Sequence, residues 1–443
     1  MTKTKKMILS SSLLTMTAIA TPLVAISCTT KETVTKITDL DNKQRDWDSE
    51  ITLVNSWFND GFRGTEVETN FLKKLETKFK ELKNADEKTK NLPDVKFKIN
   101  VADDKQQTLQ NLQSSKLDTD VAVLNYSAFI EQVDTEAELA KFTPQLVAQT
   151  ATLKFTWSDN GDSIYKDGGE SDPLRLIAER ENQLQFNAHG EFPTWSTNDP
   201  QLQWDGSKYA KFYYEPTASK NITYMYHGAI LISGNEEKRK QIIADWEAKD
   251  LDKFLSHGVI KGKDSSGGKY RYQVALLARH FDKSIDEIKT KLNNETLVTQ
   301  AGAGEQIGKV NSGLTTKHIA FDDEGAFNWT AGDWAKGYYQ PSAYIESEGK
   351  KYDSKTNDVV RVLTVTNPAP YDAVFARAGL SQIQINLISQ ALTSLSIEEN
   401  TYGIYTGYNK FMPTSLENFK KFIQLQLLAE NKEAYSENLI PEI

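Results

Sequence analysis

Cysteine and histidine are scarce in this sequence, and several kinds of chemistry lose support as a result. Cys28 is the only cysteine among 443 residues, so no internal disulfide can form and folding has to rest on packed cores. No two histidines have the spacing of metal ligands. The histidines are His189, His227, His257, His280 and His318. The motif G-x-S-x-G and the Walker loop are also missing, which weakens the case for an enzyme without excluding one, because catalytic groups need not be neighbours in sequence.

The chain has no excess of positive charge either. It carries 52 Lys and Arg residues against 61 Asp and Glu residues, a formal net charge of −9. Nucleic-acid-binding proteins present basic surfaces, so this balance argues against a nucleic acid partner. In an acidic chain, a site for an anion depends more on backbone N–H groups and hydroxyls than on a broad basic patch.

The first 27 residues have the pattern of a secretory signal peptide. Lys3, Lys5 and Lys6 precede an apolar run over residues 8–26 that is too short and too polar for a stable membrane span. The run ends at Cys28, in a setting that resembles the bacterial lipoprotein box. We therefore predict that the Cys28 thiol carries a lipid such as palmitate, which anchors the chain to the extracytoplasmic face of the cell membrane. The alternative is a plain secretory peptide with an incidental cysteine.

The mature chain, of about 415 residues, is long enough for two lobes with separate cores. Losing the three signal-peptide lysines and no acidic residue moves the net charge from −9 to −12. Residues 28–47 are polar and charged, and we predict that they form a flexible tether. Strand-like runs at 51–55, 95–101 and 120–124 are separated by helix-like segments, a pattern that predicts βαβ units and a mainly parallel sheet.

Ligands of parallel sheets bind beyond the C-terminal ends of the strands. This rule makes Trp57, Asn125 and Tyr126 candidate cleft residues. A loop over residues 188–206 adds Trp195, because tryptophan in a polar loop often faces a ligand or a lobe interface. For each of these aromatic residues, burial in a core is the alternative.

The stretch from Lys261 to Phe281 is the best candidate for an anion site. Turn-forming and small residues precede an apolar helical run, and a helix start offers unpaired N–H groups and the positive end of its dipole. The four residues expected to face an anion are Ser265, Ser266, Gly267 and Gly268. The alternative is an ordinary helix capped by one of the two serines.

Carboxylates and aromatic rings come together twice in the second half of the chain. Asp322 and Glu324 follow a strand predicted at 318–321, with Trp329 shortly after, a combination suited to a cationic or aminopyrimidine group. Tyr371 and Asp372 follow a proline-containing return segment that has the character of a hinge. An acidic turn beside core aromatics remains the alternative for the first group.

The order of these motifs resembles the phosphonate-type substrate-binding proteins of ABC importers, and within them most closely the extracytoplasmic thiamine-binding lipoproteins of mycoplasmas. The resemblance covers nearly all of the mature chain. The residues that carry it are Ser171–Leu174, Trp204–Gly206, His318–Phe321, Glu324–Thr330, Val365–Asp372 and Thr401–Gly403.

This resemblance implies an α/β fold of the two-lobed, type II periplasmic-binding-protein class, with each lobe a mainly parallel sheet flanked by helices. We expect residues 48–225 and 368–443 to form lobe one and residues 226–367 to form lobe two. The ligand implied is thiamine or thiamine pyrophosphate, held between the lobes by a monomeric, non-enzymatic protein and delivered to a membrane permease. No catalytic cofactor is implied, and whether a divalent cation accompanies the pyrophosphate is left open.

The resemblance also assigns roles to the candidate residues. The anionic tail is expected at residues 265–268, the rings among the candidate tryptophans and tyrosines, and the cation or amino group near Asp322, Glu324 or Asp372. The loop at 265–268 is richer in glycine than that of the thiamine-binding proteins and nearer to the phosphonate type, so the phosphorylation state of the ligand stays open. The alternatives are an exported phosphate-ester hydrolase and a surface adhesin built on a binding-protein fold.

Overall fold

The computed structural model describes residues 33–130, 145–158, 163–192, 202, 209–215, 221–310, 314–330, 337–345 and 354–431. The strands are β1 Val34–Thr38, β2 Gln44–Asp48, β3 Glu50–Asn55, β4 Lys96–Val101, β5 Val121–Leu124, β6 Gln145–Leu153, β7 Ile222–Thr223, β8 Met225–Tyr226, β9 Gly228–Gly234, β10 Val259–Lys261, β11 Val298–Gln300, β12 Ile319–Asp323, β13 Val359–Val365, β14 Ala369–Pro370, β15 Ala373–Ala376 and β16 Lys410–Met412. The helices are α1 Glu66–Ala85, α2 Lys105–Gln113, α3 Tyr126–Ile130, α4 Pro173–Asn182, α5 Glu236–Glu247, α6 Leu251–Ser256, α7 Tyr272–His280, α8 Ile285–Leu292, α9 Ala303–Gln306, α10 Gln382–Ser394, α11 Tyr402–Thr406 and α12 Leu416–Ala429. Cys28, Trp195 and Trp204–Gly206 lie outside the described residues.

The first sheet has the strand order β16-β6-β15-β5-β3-β4. β3 pairs in parallel with β4 and β5, while the remaining pairs along this order are antiparallel. Helix α1 covers the sheet with an apolar face of Phe71, Leu75 and Phe79, which are spaced four residues apart and are buried. The predicted βαβ start is therefore present, and the C-terminal ends of β3, β4 and β5 point to the same edge of the sheet.

The second sheet has the order β11-β10-β12-β9-β13. β10 is parallel to both β11 and β12, while β9 is antiparallel to β12 and β13. The two-lobed α/β class is thus correct, but both sheets are mixed rather than mainly parallel. In the second sheet, β9 carries the chain in and β13 carries it back, so these two strands run in opposite directions.

Two chain segments join the sheets and pair with each other. β8 and β14 form a short antiparallel ladder in which Tyr226 lies opposite Ala369 and Met225 opposite Pro370. The chain from Ile222 to Gly234 is broken into three strands, β7, β8 and β9. Each piece belongs to a different place: β7 pairs with β6 of the first sheet, β8 lies at the crossing, and β9 enters the second sheet.

Helix α4 packs on the second sheet, although the expected boundaries put it in lobe one. The Asn182 side chain accepts a hydrogen bond from the Val362 N–H and donates one to the Val362 carbonyl, both at 2.9 Å. Arg361 of β13 makes a two-pronged ion pair with Glu191, at 2.6 Å for each bond. These backbone and ionic contacts join α4 and Glu191 to β13 of the second sheet.

Part of the expected tether is also folded. β1 and β2 form an antiparallel hairpin, and the fully buried Arg377 holds it against the first sheet. The Arg377 guanidinium donates to Asp46 of the hairpin and to Asp120 beside β5, both at 2.8 Å. A polar segment forms a flexible tether only when its charged side chains face solvent. Here Asp46 instead pairs with the buried Arg377, so this part of the segment is folded.

Candidate functional site

A cleft of about 610 Å³ lies where the strand ends of the two sheets meet. Its size is in the range of small-molecule sites, which is roughly 300–1,000 Å³. Most of the candidate residues chosen from sequence contribute to its wall. Those lining it are Trp57, Asn125, Ser265, Ser266, Gly267, Gly268, Glu324, Trp329, Tyr371 and Asp372.

The loop at residues 265–268 forms part of the wall, but it does not start an ordinary α-helix. Ser266 is in the N-cap position with extended backbone, its side chain makes no capping bond, and a π-helical turn over Gly267–Arg271 precedes α7. In this turn the Arg271 N–H donates to the Ser266 carbonyl, five residues back. The serine hydroxyl is thus not used to cap the helix, contrary to the alternative considered from sequence.

The two glycines of this loop are required by close packing. A Cβ atom on Gly268 would lie 1.9 Å from Oδ1 of Asp323, and one on Gly267 would lie 2.7 Å from the hydroxyl of Tyr272. Either contact would force the loop or its neighbour to move. Glycine at both positions therefore lets the loop backbone rest directly on the end of β12 and on the first residue of α7.

Asp322 was expected in the site, but it lies behind the wall. Its side chain is almost fully buried, accepts a hydrogen bond of 2.7 Å from the Tyr339 hydroxyl, and lies 3.3 Å from the Lys269 ammonium. The next residue, Asp323, lines the cleft and lies 3.5 Å from the same ammonium. Both carboxylates reach the same ammonium, but Asp322 is held against Tyr339, so only Asp323 lines the cleft. The charges of Asp322 and Asp323 raise the pKa of Lys269.

Tyr126 was expected in the cleft as well, but it belongs to the core. Its ring is fully buried against Phe419 and Phe422, and its hydroxyl donates to Gln149 at 2.6 Å. The chain turns into α3 at this residue, which directs the ring beneath the sheet, while Asn125 before it remains at the cleft wall.

Trp57 presents an open ring to the cleft. The side chain is 45% exposed, and within the described residues no other aromatic ring packs against it. Trp329 lies edge-on to Tyr213 at 5.8 Å, and Tyr213 stacks on Phe155 at 4.4 Å. Phe155 and Tyr213 also line the cleft, so this aromatic wall extends further than the sequence suggested.

Lys105 is the most important residue that sequence reasoning missed. It is the first residue of α2, is half-buried, and lines the cleft. In the described part of the chain its ammonium group has no ion pair and no hydrogen bond. Burial lowers the pKa of Lys105, whereas the nearby charge of Asp372 raises it. Lys105 follows β4 at a distance of four residues, whereas Asn125 follows β5 directly. The strand-end rule would have pointed to Lys105 only if it had been extended along the loop after each parallel strand.

Tyr371 and Asp372 lie at the crossing between the lobes. Asp372 is buried, and its Oδ2 accepts a hydrogen bond of 2.6 Å from the Tyr408 hydroxyl. Burial raises the pKa of Asp372, and the charge of Lys105 opposes that rise. The Tyr371 ring meets Tyr226 at 5.1 Å, so aromatic rings from both crossing segments are in contact beside the cleft.

Glu324 is held in place by groups from two directions. Its Oε1 accepts a hydrogen bond of 2.8 Å from Nε1 of Trp157, and its N–H donates to the His227 carbonyl at 3.0 Å. Glu181 of α4 lies nearby, fully buried, and burial together with the charge of Glu324 raises its pKa. The residue that reaches the cleft is thus a carboxylate whose orientation is fixed before any ligand arrives.

Comparison with known proteins identifies the family. The sequence model of the extracytoplasmic thiamine-binding lipoproteins (CypI) matches residues 69–430. The high affinity transport system protein p37 of Mesomycoplasma hyorhinis is 32% identical over 428 residues, which are 95% of this chain and 97% of that protein. This chain belongs to the extracytoplasmic thiamine-binding lipoprotein family.

The fold of the family member described here matches a solved structure. The Mycoplasma hyorhinis protein Mh-p37, described as a candidate thiamine pyrophosphate transporter, superimposes with a TM-score of 0.71 at 29% identity over 87% of this chain and 100% of that chain. A binding protein of an ABC phosphonate transporter from Pseudomonas aeruginosa is more remote, with a TM-score of 0.40 at 9% identity over 88% of this chain and 91% of that chain. The family and the fold class expected from sequence are confirmed.

The extracytoplasmic thiamine-binding lipoprotein family consists of binding proteins associated with transport, and this protein is one of them. Its family places it outside the cytoplasm in association with the membrane. Among the described residues, no helix is long and apolar enough to cross a bilayer. Within the same residues, no three His, Cys, Asp or Glu side chains are grouped so that they could hold a metal ion.

Proposed function

We propose that this protein is the lipid-anchored substrate-binding component of an ABC importer. It binds thiamine pyrophosphate between its two lobes and delivers it to a membrane permease. The family match supports a thiamine-related ligand, and the cleft supports the form that carries the pyrophosphate. Different groups along the cleft wall suit different parts of that molecule.

The observation that carries the choice of ligand is Lys105. A half-buried ammonium with no ion pair and no hydrogen bond among the described residues loses hydration, and until an anion arrives it regains only the attraction of nearby carboxylates such as Asp372. The second lobe adds the backbone of Gly267 and Gly268 at the start of the π-helical turn, where N–H groups favour an anion. An ammonium from one lobe and backbone donors from the other are suited to holding a pyrophosphate between them.

The remaining wall suits the two rings of thiamine. Trp57 and the Tyr213–Trp329 pair offer faces and edges for stacking, and the carboxylates of Glu324 and Asp372 offer negative charge for the cationic thiazolium. Aromatic faces and charges of both signs along the wall would fix the orientation of the ligand in the cleft.

Membrane attachment is proposed to occur through Cys28. The family name and the position of this cysteine at the end of the apolar run support lipidation there. The Cys28→Ser variant is expected to leave the membrane fraction and to lose incorporation of labelled palmitate. Retention of the variant at the membrane would reject Cys28 as the anchor.

Isothermal titration calorimetry tests the ligand. Thiamine pyrophosphate is expected to bind one molecule per chain and at least about tenfold more tightly than thiamine, because the tail adds charge-assisted hydrogen bonds. Native mass spectrometry of the titrated protein should show the intact ligand. Steady release of phosphate would support the hydrolase instead, and failure to bind any form of thiamine would return the adhesin to consideration.

A further inference from the structure

His227 is a cleft residue to which no sequence motif pointed. It lies between β8 and β9, at the place where the crossing segment enters the second sheet. Its side chain is 5% exposed, and it lines the cleft. A histidine so nearly buried at a binding site has few ways to satisfy its two ring nitrogens, which makes its hydrogen bonds informative.

The backbone on both sides of His227 is held firmly. The His227 carbonyl accepts from the Glu324 N–H at 3.0 Å. The Gly228 N–H donates to Oγ1 of Thr366 at 2.9 Å, and the Thr366 N–H donates to the Gly228 carbonyl at 2.8 Å. The ring is therefore positioned by both crossing segments and by the end of β12 at once.

These contacts also determine which ring nitrogen carries the proton. Nδ1 lies 2.6 Å from the carbonyl oxygen of Thr366, and a carbonyl can only accept, so Nδ1 carries a hydrogen. Nε2 of the neutral imidazole then presents a lone pair. Within the described residues Nε2 has no hydrogen-bond partner.

The neighbours of His227 on the cleft wall are also acceptors. Glu324 follows β12 directly, and Asp323 lies opposite Gly228 in the ladder between β12 and β9. The ammonium of Lys269, which also lines the cleft, is already paired with Asp322 and Asp323. This corner of the cleft therefore offers several acceptors, and it calls for a ligand group that donates hydrogen bonds.

We propose that His227 is a specificity-determining residue, whose Nε2 accepts a hydrogen bond from an exocyclic amino group on the ring of the ligand. The inference rests on the proposed function, because the aminopyrimidine of thiamine carries such a group. An oxygen in place of the amino group would set lone pair against lone pair at Nε2. A buried site made for a donor rejects an analogue without it, because its own polar groups are left unpaired.

The test compares thiamine with oxythiamine, in which oxygen replaces the amino group of the pyrimidine. Both compounds are cations of nearly the same shape, so the ratio of their affinities isolates the amino group. The unsubstituted protein is expected to prefer thiamine by about thirtyfold or more. The His227→Phe variant should bind thiamine about tenfold more weakly while binding of oxythiamine changes by about twofold at most. Most of the preference should therefore disappear.

The His227→Gln variant and inorganic pyrophosphate, as a third ligand, distinguish loss of the amino-group contact from damage to the cleft. His227→Gln can turn either its carbonyl or its NH₂ group to the ligand, so it should improve oxythiamine binding and reduce the preference without loss of thiamine binding. Inorganic pyrophosphate should bind both variants as it binds the unsubstituted protein, which shows that the cleft is intact. An unchanged preference in both variants would overturn the role of His227 alone. Failure of the unsubstituted protein to bind thiamine and thiamine pyrophosphate would overturn the proposed function, and the inference with it.

Discussion

The two lobes contribute different kinds of group to the same cleft. On the first lobe, Trp57 faces the cleft without a stacked ring and Lys105 without an ion pair or hydrogen bond in the described part of the chain. On the second lobe, Lys269 is paired with two carboxylates, and Gly268 is packed against Asp323. A group without an ion pair or stacked ring gains the most interaction free energy when a ligand binds, whereas a paired group already interacts favourably with its neighbour. We infer that the first lobe supplies charge and stacking, and that the second lobe supplies a shaped, preorganised wall.

The largest expected effect tests the wall of the second lobe. Ser266→Trp should reduce the affinity for thiamine pyrophosphate by about hundredfold or more, because an indole would occupy the space of the tail beside residues 266–268. The affinity for thiamine should change by only about threefold. Ser256→Trp, on an exposed helix end of the same lobe, serves as the matched control. Equal losses for the two ligands would show that the loop does not hold the tail.

The second effect tests the unpartnered charge of the first lobe. Lys105→Met should weaken binding of thiamine pyrophosphate by about thirtyfold, since a charge-assisted hydrogen bond is lost, and should leave thiamine binding nearly unchanged. Lys263→Met is the comparison, because Lys263 lines the cleft at its exposed rim and lies 4.0 Å from Asp103. Its loss should cost about threefold at most, since exposed charges are screened. Similar losses in both variants, measured by calorimetry, would erase the distinction between paired and unpaired lysines.

The third effect concerns the open ring. Trp57→Ala should weaken thiamine and thiamine pyrophosphate alike by about tenfold, because both carry the rings that would stack on the indole. The exposed Tyr214, which does not line the cleft, provides the control through Tyr214→Ala. Both affinities have to be measured. A loss of affinity for thiamine pyrophosphate alone would place Trp57 near the tail instead of the rings.

The smallest effect lies outside the cleft and should change stability alone. Glu399 accepts from the Ser396 N–H and pairs with Lys78 at 2.9 Å, and these contacts lower its pKa to about 2. A carboxyl with a lowered pKa stabilises the fold at neutral pH, and this contribution disappears as the pH falls from about 4.5 to about 2. Glu399→Gln should therefore lower the free energy of unfolding by less than about 1 kcal/mol at pH 7 and have no effect near pH 2. Urea unfolding at both pH values checks this, and a change in ligand affinity would contradict it.

Strand-end reasoning explains both the successes and the failures at the site. Trp57 and Asn125 were found because they follow strands whose C-terminal ends meet at one edge, a property readable from hydrophobic runs. Tyr126 was misplaced by a single residue, since a short helix begins there and turns its ring into the core. His227 gave no signal, because its role depends on a carbonyl 139 residues away in the chain.

The amino-acid sequence by itself determined the βαβ start of the first lobe, the two-lobed class and the family, because these follow from local periodicity and from long runs of characteristic residues. Only the tertiary structure decided which strands run antiparallel, that α4 lies on the second sheet, and which of Asp322 and Asp323 reaches the cleft. Those outcomes depend on contacts between residues far apart in the chain, where a side chain either finds a partner or is left open for a ligand.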